Sequence, residues 1–207
     1  MPTNVAVIST TNPKPVLLVR AIWFLLLATV GCAADLGSKA WVFRQDDMFR
    51  DSEWWLWEGH IGIQKSLNEG ALFGMGQGKV WVFAVFSLVA LLAIPVWLFY
   101  FRAARDRLLT VALGSVTGGI LGNLYDRMGL SDTLWDRFNP MRRGEPAYAV
   151  RDWILWQWNE QWVWPNFNIA DALLVFGAGL LMVLLPALHV AAHILDMPAG
   201  IRKLCEH

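Results

Sequence analysis

Trp164-Pro165-Asn166-Phe167-Asn168-Ile169-Ala170-Asp171 leads straight into the longest uninterrupted apolar run of the chain, Ala172 through Ala187. A carboxylate therefore stands at the mouth of an apolar helix. Upstream, a second acid sits in Ala149-Val150-Arg151-Asp152-Trp153-Ile154, at the start of a tryptophan-dense segment that reads as membrane interface. An ionisable group near the hydrocarbon of a bilayer is costly, so two acids flanking one short loop point to a site. In its sharpest form that site is a catalytic carboxylate pair. The plainer reading is two acids solvated among lipid headgroups, and these residues alone leave both open.

Composition supports the membrane setting. Of 207 residues, 56% are hydrophobic and only 16% charged, too apolar for an ordinary soluble domain of this length. The formal net charge of zero argues against nucleic acid as a partner, because neutralising phosphates takes a basic excess or a clustered basic face. Cys32 and Cys205 lie at opposite ends, poorly placed for a disulfide and without partners for a thiolate metal site.

The expected fold is an all-α polytopic membrane protein, a single domain over 1–207, with four transmembrane helices at about 16–34, 80–101, 108–124 and 168–190. Each is near the roughly 20 residues that a hydrocarbon core requires. Residues 1–15 read as a disordered lead-in. The first span could be mistaken for a lipoprotein signal peptide ending at Cys32, but Thr29 stands where a branched apolar residue is usual, and further spans follow. Residues 42–78 form a first outer segment. Its scattered glycines between short apolar runs suggest strands and turns, a small β-containing module held to the membrane surface by Trp54, Trp55 and Trp57. Pro95 is expected to kink the second span. Arg102, Arg105 and Arg107 crowd a short connection, which places it and both termini in the cytoplasm. Gly114, Gly118, Gly119 and Gly122 allow close helix packing along the third span. Residues 128–164 form a second outer segment, whose Tyr148–Trp164 part should lie flat in the interface.

Four polar clusters fall at a common depth on the outer side: Asp35 with Lys39, Asn68, Asn123 with Asp126 and Arg127, and Asp152 with Asn168 and Asp171. Asp35 and Lys39 are four apart with the acid first, the favourable order for a pair on one helical face, so a local salt bridge fixing the end of the first span accounts for them. Asp126 reads as part of a buried network that locks helix ends. Rival chemistries are weaker. His189 and His193 have the spacing of a metal pair but lack the intervening glutamate of a zinc protease motif and sit at the far end of the last span. Ser115 and His189, the candidates for a serine protease, should lie at different depths. No metal or organic cofactor is implied.

At these residues the chain resembles the bacterial lipoprotein signal peptidase family, also called signal peptidase II, an aspartic protease with four membrane spans. Asp35-x-x-x-Lys39 is similar to its first-span motif, and Asn68-x-Gly70-Ala71-x-Phe73 to its Asn-x-Gly-Ala motif. Gly118-Gly119-x-x-Gly122-Asn123-x-x-Asp126-Arg127 resembles its third-span signature. Val150-x-Asp152 and Phe167-Asn168-x-Ala170-Asp171 resemble the stretches that bear its two catalytic aspartates.

The resemblance implies an endopeptidase of the bacterial cytoplasmic (inner) membrane with its active site on the outer face. It would remove the signal peptide from diacylglyceryl-modified prolipoproteins, cutting on the N-terminal side of the lipidated cysteine. Asp152 and Asp171 are then the catalytic pair. Asn68, Asn123, Arg127 and Asn168, with Asp35, Lys39 and Asp126, hold substrate and aspartates in place. Lipid-modified prolipoproteins and membrane lipids are the expected partners, and a monomer the expected state. The alternative of a different class is a non-catalytic carrier or binding protein that uses the same polar cluster. One departure stands out: Arg127 and Asp152 are 25 residues apart, where the family has a handful, so Gly129–Ala147 looks inserted. Its charges nearly balance and look solvated. It is expected to contribute no catalytic group and to be replaceable by a short linker, although Asp132 and Asp136 compete with Asp152 for the first acid and Arg142 and Arg143 could touch headgroups or substrate.

Overall fold

The structure is a computed structural model, and the residues it describes are 13–45, 53–70, 76–136 and 138–196. Four long helices carry the chain: α1 (Pro13–Arg44), α2 (Val80–Pro95), α3 (Arg107–Arg127) and α4 (Ile169–Asp196). Three of the described helical stretches, in α1, α2 with its continuation to Tyr100, and α3, are long and apolar enough to cross a membrane; the apolar part of α4, Ile169–Leu184, is shorter. Beside them lies a four-stranded antiparallel sheet in the order β1 (Trp54–Trp57), β2 (Ile61–Asn68), β3 (Val150–Asn159), β4 (Trp162–Phe167). The all-α expectation is thus corrected to a mostly helical protein with one sheet. Both outer segments build it, since Ile63 pairs with Ile154 and Ser66 with Asp152 across the two segments.

Helix α3 is central. Of its most apolar stretch 72% is buried, against 17% for α1 and for α2, although its mean hydropathy is the lowest of the three at 1.4. The two facts share a cause. A helix that meets protein on most sides needs small residues rather than lipid-facing apolar ones. A Cβ at Gly118 would stand 3.1 Å from the Ala28 carbonyl oxygen of α1, and one at Gly119 would lie 2.5 Å from that of Ala170 on α4. A Cβ at Gly122 would collide with the Asp35 carboxylate. By contrast α1 and α2 expose Trp23, Leu25, Val30, Trp81, Phe86 and Leu92, apolar surface suited to lipid.

The helices depart from expectation where α1 and α2 end, while α2 begins at Val80 as expected. Helix α1 spans 32 residues, about 48 Å at the α-helical rise, longer than the roughly 30 Å of a hydrocarbon core, and its last turn carries Val42 and Phe43. There Val42 and Ile63 pack with Phe43 and Trp153 and anchor the sheet on α1. The expected kink at Pro95 takes the form of a change of helix type: the next five residues, Val96–Tyr100, make a π-helical turn closed by Phe101 N–H donating to the Val96 carbonyl at 3.2 Å. Asp106 then caps α3 by accepting from Leu109 N–H at 2.8 Å. The segment expected to lie flat in the interface folds as the β3–β4 hairpin, with Trp156 opposite Trp164.

Candidate functional site

The first turn of α4 is a reciprocal cap. Asp171 N–H donates to Asn168 Oδ1 at 2.9 Å, and Asn168 N–H donates to Asp171 Oδ2 at 3.3 Å. Two of the orphan donors at a helix start are satisfied, and Asp171 is held where the helix dipole favours an anion. The amide of Asn168, fully buried, then reaches outward from the cap. Its Nδ2 donates to Asp152 Oδ1 at 2.6 Å and to Asn123 Oδ1 at 3.2 Å. Asn123 Nδ2 donates back to Asp171 Oδ1 at 2.8 Å. One asparagine side chain therefore bridges the two acids, and a second supports it from α3.

Asp152 comes from the other direction, on β3, and is 2% exposed. Asn68, at the end of β2, donates Nδ2 to Asp152 Oδ2 at 3.3 Å. Between Ile63 and Ser66 the register slips, so that β2 carries an extra residue opposite the stretch from Asp152 to Ile154. Such bulges re-aim side chains beside active sites. Burial in this setting pushes the Asp152 carboxyl up to about 8, and the charge of Asp171 pushes the same way; the Asn168 hydrogen bond, Lys39 and Asn68 oppose it only in part.

Beneath the pair lies a ladder of buried charge. Lys39 Nζ is 2.7 Å from Asp35 Oδ2, 3.0 Å from Asp126 Oδ2 and 3.0 Å from Asn123 Oδ1, and Lys39, Asp35 and Asp126 are all fully buried. Asp35 Oδ1 also accepts from Ala170 N–H at 2.9 Å. The expected local salt bridge is thus only one part of its role. The pair lies well inside α1, which ends at Arg44, and it ties α1 to α3 and α4. Asp126, at the end of α3, is bonded to Lys39 of α1 and to Arg151 of β3. Arg127 donates to the Gly70 carbonyl at 3.0 Å and lies over the Phe83 ring, its centre 5.5 Å away.

All nine residues singled out in the sequence therefore converge: Asp35, Lys39, Asn68, Asn123, Asp126, Asp152, Asn168 and Asp171 through direct contacts, Arg127 through the turn after Asn68. Ala71 and Phe73 of the second motif lie outside the described residues, as do the side chains of His189 and His193. Asp132 and Asp136 are not drawn in. They line a separate cavity of about 830 Å³ with Arg44, Lys65 and Phe138. Sequence reasoning missed Arg151, which is 5% exposed and bonded to Asp126. Its position beside an acid in a strand was the available signal. The charges of Gly129–Ala147 are mostly exposed, as at Asp132, Asp136, Arg143 and Glu145, but the segment is also tied to the rest of the protein. Arg142 binds Glu69 at 2.7 Å and Glu145 at 2.9 Å and covers the Trp135 ring at 4.2 Å. Trp135 is 7% exposed and clusters with Ala147, Ala149 and Leu67. Among the described residues no group of three or more His, Cys, Asp or Glu is placed to hold a metal ion.

Two carboxyls linked through Asn168, one taking its side-chain amide and the other its backbone N–H, offer a proton donor and a proton acceptor when one of them is protonated. That is what hydrolysis by a carboxylate pair requires. A family model described as Signal peptidase (SPase) II matches residues 27–186. A lipoprotein signal peptidase of Rhodopirellula baltica is 50% identical over 165 residues, covering 79% of this chain and 71% of that protein. One from Symbiobacterium thermophilum is 34% identical over 161 residues, covering 77% and 91%. Among solved structures, a bacterial membrane enzyme determined by the in meso method shares the fold, with a TM-score of 0.62 at 24% identity over 79% of this chain and 87% of that one.

Proposed function

The chain belongs to the signal peptidase II family, and on the premise that it is a lipoprotein signal peptidase acting on prolipoproteins we propose that Asp152 and Asp171 are its catalytic pair. The observation that carries the assignment is the amide of Asn168, which donates to Asp152 while its own backbone caps onto Asp171. Two carboxylates so linked share one proton and titrate as a unit. Asp152, buried and pushed up to about 8, holds the proton; Asp171, at the helix start with Asn123 and the Asn168 N–H as donors, carries the charge.

Asp171 accepts a proton from water as the oxygen attacks the scissile carbonyl carbon, and Asp152 donates its proton to the carbonyl oxygen. A neutral tetrahedral diol results. On collapse Asp171 passes its proton to the departing amine, and a diol hydroxyl returns a proton to Asp152 as the new carboxyl forms. The carbon–nitrogen bond breaks and the pair regains its starting state. Asn68 and Arg127 hold the turn over the acids, Asn123 and Asn168 orient them, and Asp35, Lys39 and Asp126 brace the helices behind.

The finer features of the reading follow. All four helices cross the bacterial cytoplasmic membrane, both termini lie in the cytoplasm, and the sheet and acids lie at the outer face. The enzyme acts as a monomer, among lipid, on diacylglyceryl-modified substrates and cuts before the modified cysteine. Asp152→Asn and Asp171→Asn should each abolish processing of a diacylglyceryl-modified prolipoprotein, followed by the mobility shift of the released product, while the variants still insert. Near-normal turnover by either refutes the pair, whereas absence of processing by the wild type would favour the non-catalytic carrier. In a background without Cys32 and Cys205, a cysteine at 143 should react with an impermeant thiol reagent from outside and one at 105 should not; the reverse pattern inverts the topology.

A further inference from the structure

Arg151 is the residue whose position in the motif is open to any side chain, yet it is 5% exposed. Its Nε donates to Asp126 Oδ1 at 2.8 Å and its backbone N–H donates to Asp126 Oδ2 at 3.2 Å, so a single carboxylate holds the residue by side chain and main chain together. The guanidinium also lies over Phe43 of α1, 5.7 Å from the ring centre. Successive strand residues project to opposite faces. Arg151 therefore turns to α3 while Asp152 turns to Asn68 and Asn168.

We propose that Arg151 is a positioning residue for Asp152, its two-point clamp on Asp126 fixing the start of β3 against the end of α3. The proposal rests on the reading of Asp152 as a catalytic acid. Asp126 belongs to the same helix as Asn123, and Asn123 is bonded to Asp171. The clamp thus sets the distance between strand and helix that the two acids must bridge, and misplacement of a reacting group by about 1 Å costs on the order of a hundredfold in rate. Arginine suits the task better than lysine because its planar, fixed Nε–H can lie beside the backbone N–H and meet both oxygens of one carboxylate.

The same contact balances charge. Asp35, Lys39, Asp126 and Arg151 form two anions and two cations in contact, neutral as a set. The groups that face Asp152 are Asp171 and Asn168 from α4, Lys39 from α1, Asn68 from β2 and Arg127 from α3. Without the guanidinium the ladder carries a net negative charge beside the acids, and both would hold their protons to higher pH.

The test compares full-length wild type, Arg151→Gln and Arg151→Lys in detergent micelles, reading kcat, KM, the pH profile and the unfolding temperature with a diacylglyceryl-modified prolipoprotein substrate. Arg151→Gln should lower kcat by about 10- to 100-fold, with KM within about twofold, and move both limbs of the pH profile upward. Arg151→Lys should recover part of kcat and leave the limbs in place, because it keeps the charge and loses the two-point geometry. A wild-type kcat in Arg151→Gln overturns the proposal. So does an equal loss in both variants with unmoved limbs and a lowered unfolding temperature, which marks a role in stability alone. Should Arg151→Gln not fold, Arg151→Lys decides: wild-type kcat overturns the proposal, and a reduced kcat at normal unfolding temperature supports it. Activity in Asp152→Asn would instead refute the aspartyl pair, whatever the Arg151 variants do.

Discussion

Asp126 and Arg142 lie on consecutive stretches of chain, yet their ion pairs are of different kinds. Around Asp126 every charged partner is nearly or fully enclosed: Lys39 and Asp126 are 0% exposed and the Arg151 side chain 6%. Around Arg142 the pairs are open, with side-chain exposures of 33% for Arg142, 24% for Glu69 and 55% for Glu145. An enclosed charge that loses its partner has nowhere to find water, so breaking such a pair costs about 3–5 kcal/mol, whereas exposed pairs contribute about 0–1 kcal/mol. The two clusters should therefore answer mutation on different scales, and the substitutions that follow press on that difference in descending order.

The largest effect is expected at the acids themselves, where replacement by asparagine should leave no measurable turnover. Next comes Lys39→Met. It strands Asp35 in a buried space, leaves Asp126 with Arg151 as its remaining cation, and should destabilise the protein by about 3–5 kcal/mol, read from detergent-solubilised unfolding by denaturant. A loss below 1 kcal/mol would mean that water reaches the ladder, and the contrast with Arg142 would collapse. Intermediate effects belong to pH. The raised Asp152 loses its proton as pH climbs past about 8, so kcat should fall on that side, where the pair becomes doubly anionic and the donor to the carbonyl is gone. A rate flat from pH 6 to pH 10 would assign the protonated role elsewhere.

Smaller still is the inserted segment. Replacing 130–147 with a short linker removes Trp135 from its contact with Leu67, the residue before Asn68, and unties Glu69. Turnover should fall about tenfold without vanishing, because the turn over Asp152 loosens while both acids remain. Undiminished turnover would return the segment to the plain surface elaboration that its composition suggests. The smallest change is Arg142→Ala, at about 0–1 kcal/mol in stability, since both of its pairs are partly solvated.

What could be read from the sequence was whatever depends on local spacing. Asp35 and Lys39 meet because four residues make about one helical turn, and Asn168 caps α4 because the chain enters an apolar run there. The helices followed from apolar length. Of the sheet, only the strands of 42–78 followed; their partners did not, because β2 and β3 are joined only through α2 and α3, and no local pattern sets the pairing of Ser66 with Asp152. A period-2 signal was present in Trp156-x-Trp158 and Trp162-x-Trp164, but so many tryptophans read first as membrane interface. Arg151 was lost among the four arginines of the second outer segment, whose acids suggested local pairing; its partner lies on α3. Arg142 and Glu69 escaped for the same reason, being 73 residues apart.

The placement of the charges along the chain also governs the order in which the protein can be assembled. Asp35 and Lys39 neutralise each other within α1, at 2.7 Å, before any later residue has left the ribosome. The first helix can thus wait in the bilayer with its charges already paired. Asp126 is in the opposite position, since its cations come from α1 and from β3. The third helix must find α1 on entry and remains half-satisfied until translation has delivered Arg151. Nascent chains halted short of Arg151 should therefore crosslink α3 to α1 in wild type and lose that crosslink in Lys39→Met, a dependence that the finished protein would conceal.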